Sequence, residues 1–533
     1  VMGRLLLFSL LSLSSTSVFA SSSEKGLDEK INDGFMPFAE WWESFILAEV
    51  PIFGHSIPLV LIILILGALF FTLYFGFVNI RHFPTAIQVV RGKYDDLEKN
   101  QPQLKPQVYE VEGDLMDTIK DEGHLGEVNH FQALATAVSG TVGLGNIAMV
   151  AVAISIGGPG ATFWMILAGL LGMSSKFVEC TLGVKYRDID KDGNVFGGPM
   201  YYLSRGLKEM GLTHLGKFLS VVFAILCIGG GNAFQSNQAA AQIIERFGLS
   251  GESSGSIIGL IFALLAGIVI IGGIKRIAKV TEKVVPFMAI LYVGASLFII
   301  FSNIQWVDDA FGLIFTEAFT PKATITGGFV GVLIQGFRRA AFSNEAGAGS
   351  AAIAHSAVNT AYPASEGLVG LLEPFIDTVL ICTMTAIVII LFNMDGMFVY
   401  GNVVDGQALM HDGSRLGGVN ITSMAFENSI SGSSYVLMAA VCLFAFSTIL
   451  SWSYYGLQAW KYLFGRGKFI DLTYKVIFLL FTVLGAAITL DAVIKFSDAM
   501  ILAMVFPNMI GLLLLFPKVK QEFSKYLALI TKR

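Results

Sequence analysis

The sequence predicts an all-α polytopic membrane protein of about eleven transmembrane helices. Three observations carry that prediction: a mean hydropathy of +0.68, a charged fraction of 14% beside 54% hydrophobic residues, and apolar stretches of bilayer length that recur along the chain. A hydrocarbon core of roughly 30 Å takes about 20 mostly apolar helical residues to cross. So little charge cannot solvate a compact chain in water. Lipid-exposed backbone must satisfy its own hydrogen bonds, and these stretches are too long and too uniformly apolar for barrel strands, so the bundle is helical.

Residues 1–20 read as a secretory signal: Arg4, the apolar run Leu5 to Leu13, then Val18-Phe19-Ala20 before Ser21. The alternative is an uncleaved signal anchor. A periplasmic segment (21–55) and an extra helix (56–78, Ser56 to Val78) follow, and then an acidic cytoplasmic insertion (79–130) whose charges crowd between 93 and 127 as a solvated stretch. Ten further spans are expected, in two groups of five. The first group (131–301) holds Phe131 to Ile156, Gly160 to Leu182, Phe218 to Ile244, Ser256 to Ile274 and Val284 to Phe301. After an outer loop (302–326) the second group (327–517) holds Gly327 to Ala352, Leu368 to Phe392, Val436 to Leu457, Thr473 to Leu490 and Ala499 to Phe516, and a cytoplasmic tail (518–533) ends the chain.

Short cytoplasmic loops are enriched in Lys and Arg. With the N-terminus periplasmic, the inner loops carry Arg81, Arg91 and Lys93, then Lys185, Arg187 and Lys191, then Lys275, Arg276 and Lys279, then Lys461, Arg466 and Lys468. The outer loops hold Asp308, Asp309, Asp395 and Asp405 with few basic residues, which puts the C-terminus inside. Cys180, Cys227, Cys382 and Cys442 read as small packing residues without a paired spacing.

The second span contains SGTVGLGN (Ser139 to Asn146) and the seventh GFRRAAFSNEAGAGS (Gly336 to Ser350). Glycine and small polar residues in mid-helix cost stability in lipid unless the freed backbone lines a cavity or faces protein, so both read as broken helices. Each opens a group of five, and five is odd, so the second group is inserted upside down relative to the first. Two inverted five-helix repeats with discontinuous helices in matching places point to a transporter site near the midplane. Half-helix N–H groups suit a substrate carboxylate and the opposing carbonyls suit a cation. Gly143 and Gly145 admit close approach and Asn146 adds an amide; the same glycines would also serve tight helix packing.

The TVGLG run (Thr141 to Gly145) is similar to a potassium-channel filter, but it occurs once and inside a span, whereas a filter needs a pore helix and fourfold repetition. In the fourth span Asn232, Gln235, Gln238 and Gln242 share a helical face, as a lining of a polar cavity or as interhelical glue. The ninth offers Ser447, Thr448, Ser451 and Trp452 on neighbouring turns, as hydroxyl ligands of sodium with a pocket-closing indole or as hydroxyls bonded to their own helix. An intramembrane enzyme is disfavoured because no His or Cys is expected beside a polar partner within the spans.

Several stretches together carry a resemblance to a known family: the run from Gly126 to Trp164, KFVECTLGVKYR (Lys176 to Arg187), GGPMYYL (Gly197 to Leu203), FSNEAGAGSAAIAHS (Phe342 to Ser356) and FSTILSWSYYG (Phe446 to Gly456). The chain resembles the alanine or glycine:cation symporters over nearly its whole length after the signal, with the inverted five-plus-five fold of the neurotransmitter:sodium symporters. The resemblance implies uptake of a small neutral amino acid coupled to inward sodium movement across a bacterial inner membrane. The alternatives are proton coupling and, further off, an ion channel. Its implied substrate site is Thr141, Gly143, Leu144, Gly145, Asn146, Gln235, Thr448 and Trp452, and its implied cation site is Ser139, Val142, Ser447 and Thr448. Sodium is the one metal expected, as a transported ion; no cofactor and no nucleic-acid partner are. Lys176, Glu179, Arg339 and Glu345 read either as an inner-end ion-pair network that snorkels to water or as a cytoplasmic gate.

The orientation is testable by labelling. A tag after Lys525 should be inaccessible in intact cells, and a cysteine placed at Asp308 should react with an impermeant reagent from outside; labelling of the tail would reverse the topology.

Overall fold

Long uncharged stretches can bury their peptide groups in lipid only as helices, and all eleven predicted stretches are helical in the computed structural model. It describes residues 26–532 apart from 53, 100–107, 112–117, 122–125, 191–192, 230, 250, 323–324 and 326. The signal predicted at 1–20 and much of the acidic run between 93 and 127 lie outside the described residues. The helices used below are α1 (Leu27–Ile46), α2 (Leu59–Tyr74), α3 (His130–Thr141), α4 (Ala148–Gly157), α5 (Ala161–Lys185), α6 (Thr213–Ile228), α7 (Asn232–Phe247), α8 (Ser254–Ile270) and α9 (Gly273–Ser302). They continue with α10 (Val307–Phe319), α11 (Gly328–Asn344), α12 (Ala351–His355), α13 (Pro363–Phe392), α14 (Val419–Ser429), α15 (Ser433–Phe464), α16 (Lys468–Ala487) and α17 (Leu490–Thr531).

Among the described residues, seven helices are long and apolar enough to cross a membrane, counting α6 and α7 as one; the α3–α4 pair, bent by 54°, makes an eighth. The shortfall from eleven has local causes. The apolar helices α2 and α8 are short, and α11 carries Arg338 and Arg339.

Both expected interruptions occur. α3 opens on a capping box in which Asn129 Oδ1 accepts from the Gln132 N–H and Gln132 Oε1 from the Asn129 N–H. It stops at Thr141, where Val142 (ψ 84°) and Gly143 (φ −130°, ψ −148°) leave helical space before a single 3-10 turn, Leu144–Asn146. α11 stops at Asn344 because Glu345 takes a left-handed φ of 53°, and α12 resumes only at Ala351. Positive φ is uncommon away from glycine and marks a position whose surroundings hold it there. A third interruption was not expected: Gly231, at φ 79°, separates α6 from α7.

The two broken stretches lie in the interior. α3 packs on α9 and α15, α7 on α15 and α16, and α13 on α5. The segment expected as 21–55 forms α1, which runs along the start of α17; Phe35 meets Phe496 with ring centroids 5.2 Å apart, and Asp28 accepts from the Gly255 N–H (3.0 Å) and the Ser256 hydroxyl (2.6 Å) at the head of α8. A three-stranded antiparallel sheet, Phe398–Val404, Gln407–Met410 and Arg415–Gly417, rests against α4 in the stretch expected as an outer loop with Asp395 and Asp405, an element the all-α expectation did not include. The tail expected at 518–533 continues α17 as far as Thr531.

Candidate substrate and cation site

Where α3 ends, its freed peptide donors must find partners inside the protein. The Gly143 N–H donates to Asn146 Oδ1 and the Leu144 N–H to Gln235 Oε1, each at 2.9 Å. A methyl group on Gly143 would lie 2.5 Å from Thr448 Oγ1 and 2.9 Å from Gln235 Oε1, so the side chains of α7 and α15 meet at this glycine. The Thr448 hydroxyl is wholly buried and has no hydrogen-bond partner among the described residues. An unsatisfied buried hydroxyl costs about 1–3 kcal/mol, which a ligand oxygen or a cation would recover. One turn on, Trp452 lies with its ring against Gly231, where an added Cβ would come within 2.1 Å of the indole. Of the expected substrate residues, the structure gathers Gly143, Leu144, Asn146, Gln235 and Thr448, with Trp452 one turn along α15 against Gly231. Gly145 packs against the Phe342 ring at the end of α11. The Thr141 hydroxyl turns back to Ala137 O on its own helix (3.3 Å) instead of facing the site.

Ser139 and Ser447, two of the expected cation residues, touch: the Ser139 hydroxyl donates to Ser447 O at 2.8 Å. The Ser447 hydroxyl donates to Phe444 O on its own helix. Ser451 Oγ lies 3.0 Å from Ser139 Oγ, so hydroxyls and carbonyls line the seam between α3 and α15 beside Val142.

The amide stripe of α7 divides. Only Gln235 reaches the break. Asn232 donates to Phe478 O (3.0 Å), Gln238 accepts from the Val419 N–H (2.9 Å) and Gln242 donates to Ser423 Oγ (2.9 Å), so these three tie α7 to its neighbours instead of lining a cavity. Each found a partner on a packed helix, which a single-helix projection does not see.

The sequence reading missed the acidic residues of α13. Asp377 sits in a π-helical stretch, Phe375–Cys382, fully buried. Its Oδ1 accepts from the hydroxyls of Ser343 and Thr378, both at 2.7 Å, and its Oδ2 has no partner among the described residues. The other end of the Asn146 amide donates to the Asp377 backbone carbonyl at 3.0 Å, which ties this stretch of α13 to the break in α3. A lone carboxylate in an apolar span is a functional-site signal by default, and FIDT carried it in plain view.

The four residues taken as a gate do not form one unit. Arg339 belongs with Arg338, Asp498 at the start of α17 and Glu43 of α1: Arg339 Nη2 and Arg338 Nε lie 2.8 and 2.7 Å from Asp498 Oδ2, and Arg338 also pairs with Glu43. Lys176 is completely buried and pairs with Glu373 (3.3 Å) and not with Glu179; neither snorkels to water. Glu179 instead accepts from the Gly347 N–H (2.8 Å) and the Asn508 amide (2.9 Å), and Glu345 from the Ser350 hydroxyl, so both carboxylates serve the break between α11 and α12. The expectation that no His or Cys would meet a polar partner inside the spans also fails. His355 is buried 2.5 Å from Glu366, and the Asn146 amide lies 3.4 Å from Cys382 Sγ.

The profile of the sodium:alanine symporter family matches residues 42–533. The chain belongs to that family. It is a membrane symporter and not an enzyme, and family membership supports sodium-coupled transport of an amino acid. Among its family relatives, the sodium/alanine symporter AgcS of Methanococcus maripaludis is 37% identical over 474 residues, 88% of this chain and 94% of that protein. The putative sodium/proton-dependent alanine carrier YrbD of Bacillus subtilis is 36% identical over 420 residues (77% and 83%), and the probable sodium/glutamine symporter GlnT of the same organism 34% over 394 residues (73% and 76%). Among solved structures, MhsT in complex with L-phenylalanine aligns with 75% of this chain and 100% of its own at 14% identity and a TM-score of 0.46.

The convergence on Gly143 is testable in this family member. Gly143→Ala should lose most uptake while costing only about 1–3 kcal/mol of stability, because its methyl occupies the meeting point of Thr448 and Gln235. Gly34→Ala on α1, where nothing lies within 4 Å, should transport normally. Undiminished uptake by Gly143→Ala would remove this glycine from the site.

Proposed function

We propose that the protein takes up a small neutral amino acid, alanine or glycine, by coupling it to inward sodium movement through alternating access. The observation that carries the reading is the set of donors and acceptors at the α3 break, all buried and none charged. The Gly143 and Leu144 N–H groups match a carboxylate once Asn146 Oδ1 and Gln235 Oε1 turn away from them. Those two amide oxygens and the Thr448 hydroxyl then face the ammonium group. Trp452, pressed on Gly231 one turn beyond Thr448, would cap the pocket and limit the side chain it admits.

Sodium is a hard cation that takes oxygen ligands. The Ser139 and Val142 carbonyls with the Ser447 or Thr448 hydroxyl form one such set. Asp377, with one oxygen unpartnered and joined to the substrate break through Asn146, supplies the negative charge that would draw the cation in. A zwitterion carries no net charge, so voltage acts through the cation. One charge moved through 100 mV is worth about 2.3 kcal/mol, roughly forty-fold in accumulation.

Eleven spans, with the N-terminus outside and two inverted groups of five, follow from the lysine and arginine distribution and from the matching places of the α3–α4 and α11–α12 breaks. A cavity of about 350 Å³ lined by Tyr454, Gln458, Lys461 and Lys275 reaches α15 just past Trp452, on the side assigned as cytoplasmic. This cavity supports an exit path toward the cell interior.

In proteoliposomes, alanine uptake should require sodium and fail in choline. Thr448→Val should raise the sodium concentration for half-maximal uptake, and Gln235→Leu the alanine concentration, each by about tenfold, the size expected from losing one hydrogen bond to a charged group. Wild-type uptake that proceeds equally in choline would defeat the sodium assignment, and glutamate uptake without alanine uptake would defeat the substrate class.

A further inference from the structure

One chain of buried ionisable side chains plays no part in the site above. His130, the first residue of α3, bonds through Nδ1 to Glu366 Oε2. Glu366 Oε1 lies 2.5 Å from His355 Nδ1, His355 Nε2 lies 3.5 Å from Glu373 Oε2, and Glu373 Oε1 lies 3.3 Å from Lys176 Nζ. His355, Glu366, Glu373 and Lys176 have no exposed surface. Among the described residues, this chain meets water at His130, which lines a surface pocket of about 420 Å³ with Arg91, Asp95, Glu127 and Gln132.

Other charged and titratable groups surround it. From α5 and the turn after it, Glu179, Cys180 and Arg187 face Lys176, His355 and Glu366 respectively. Glu345 at the α11 break also acts on Lys176, and the Tyr455 hydroxyl of α15 and Tyr202 lie near Glu373 and Glu179. At the mouth, burial pushes the Glu127 carboxyl up, against the Val195 N–H that it accepts (2.7 Å), and Gln132 reaches Glu282.

Charge balance shows what is missing. Four buried carboxylates, Glu179, Glu345, Glu366 and Glu373, face two permanent cations, Lys176 and Arg187. Uncompensated charge in such an interior costs several kcal/mol, so about two protons must be held on the histidines or carboxyls. An imidazole between two carboxylates can accept a proton at one nitrogen and release one from the other. His355 has that placement, and its Nε2 and Glu373 Oε2 have no other hydrogen-bond partner among the described residues. Glu366 and Glu373 share α13 with Asp377 at spacings of seven and four, which places all three along one face. His355 ends α12, directly after the α11 break. Ligands that move α13 or the break therefore move the relay.

We propose that His130, Glu366, His355 and Glu373 form a proton-binding relay, loaded from the solution at the Arg91–Glu127 pocket, whose proton occupancy changes when sodium and the amino acid bind. The ligand is a proton, exchanged with water through His130, and the linkage rests on the symport reading above. Purified protein in weakly buffered detergent solution with a pH-indicator dye tests it. Addition of sodium chloride and alanine, against choline chloride and alanine, should exchange up to about one proton per carrier. Binding itself is followed in parallel by calorimetry. Glu366→Gln should bind both ligands with the proton exchange abolished. His130→Gln, at the wet end where folding is least at stake, should keep the amount exchanged but slow it in stopped flow by tenfold or more. Binding by the wild type without proton exchange, or unchanged amounts and rates in both variants, would overturn the relay alone. Absence of sodium and alanine binding in the wild type would overturn the symport reading and the linkage with it.

Discussion

A helix that stops inside a membrane leaves peptide groups that water cannot reach, and this constraint organises the interior of the protein. At the α3 break the freed N–H groups go to Asn146 and Gln235; at the α11 break they go to Glu179 and Asn344, which accept from Gly347 and Ala346. Side chains that can satisfy backbone can also be exchanged for a ligand, whereas helical hydrogen bonds cannot without unwinding. The site is therefore a set of replaceable hydrogen bonds, and its polarity is confined to positions where backbone demands it.

The same demand explains why carboxylates are tolerated so deep. Glu179 accepts a backbone N–H and an amide, Glu345 a hydroxyl, and Asp377 two hydroxyls, so hydrogen bonds offset part of the desolvation of each. They do not supply countercharge. Lys176 reaches Glu373, and Arg187 is occupied with the carbonyls of Ser356, Val358 and Thr360, which leaves the acidic side of the interior in excess. Under the readings proposed above, mobile cations, sodium at one place and protons at another, would balance such an interior. Beside α1, Arg338 and Arg339 share Asp498 and Glu43, where cation and acid are matched.

Membrane helices were legible because apolar length is a one-dimensional property, and both planned breaks were legible because glycine and small polar residues are rare in mid-span. The pairing of polar side chains was not, since it depends on which helix packs against which. Asn232, Gln238 and Gln242 share a face with Gln235, yet Asn232 bonds to α16 and the two glutamines to α14. Lys176 and Glu179 sit three apart, but Glu373 from α13 takes the lysine. Arg339 and Glu345 are close in sequence and belong to different networks because the helix between them turns and then ends. Asp377 and Glu373 were legible and passed over, although an acid within an apolar run is as informative as a glycine pair.

Asn146 joins two parts of the interior. One amide spans two places: its oxygen accepts from the Gly143 N–H and its nitrogen donates to Asp377 O. Under the symport reading, a carboxylate that takes the Gly143 N–H releases the Asn146 oxygen, which can then turn toward the cation that Asp377 draws in. A cation held there keeps the amide turned and leaves the Gly143 N–H open for the carboxylate. Coupling of this kind is reciprocal by thermodynamic necessity, so whatever factor sodium adds to amino-acid affinity, the amino acid must add to sodium affinity. Under that reading one shared residue would couple the two ligands without a long pathway, because Gly143, Asn146 and Asp377 are already one hydrogen-bonded unit.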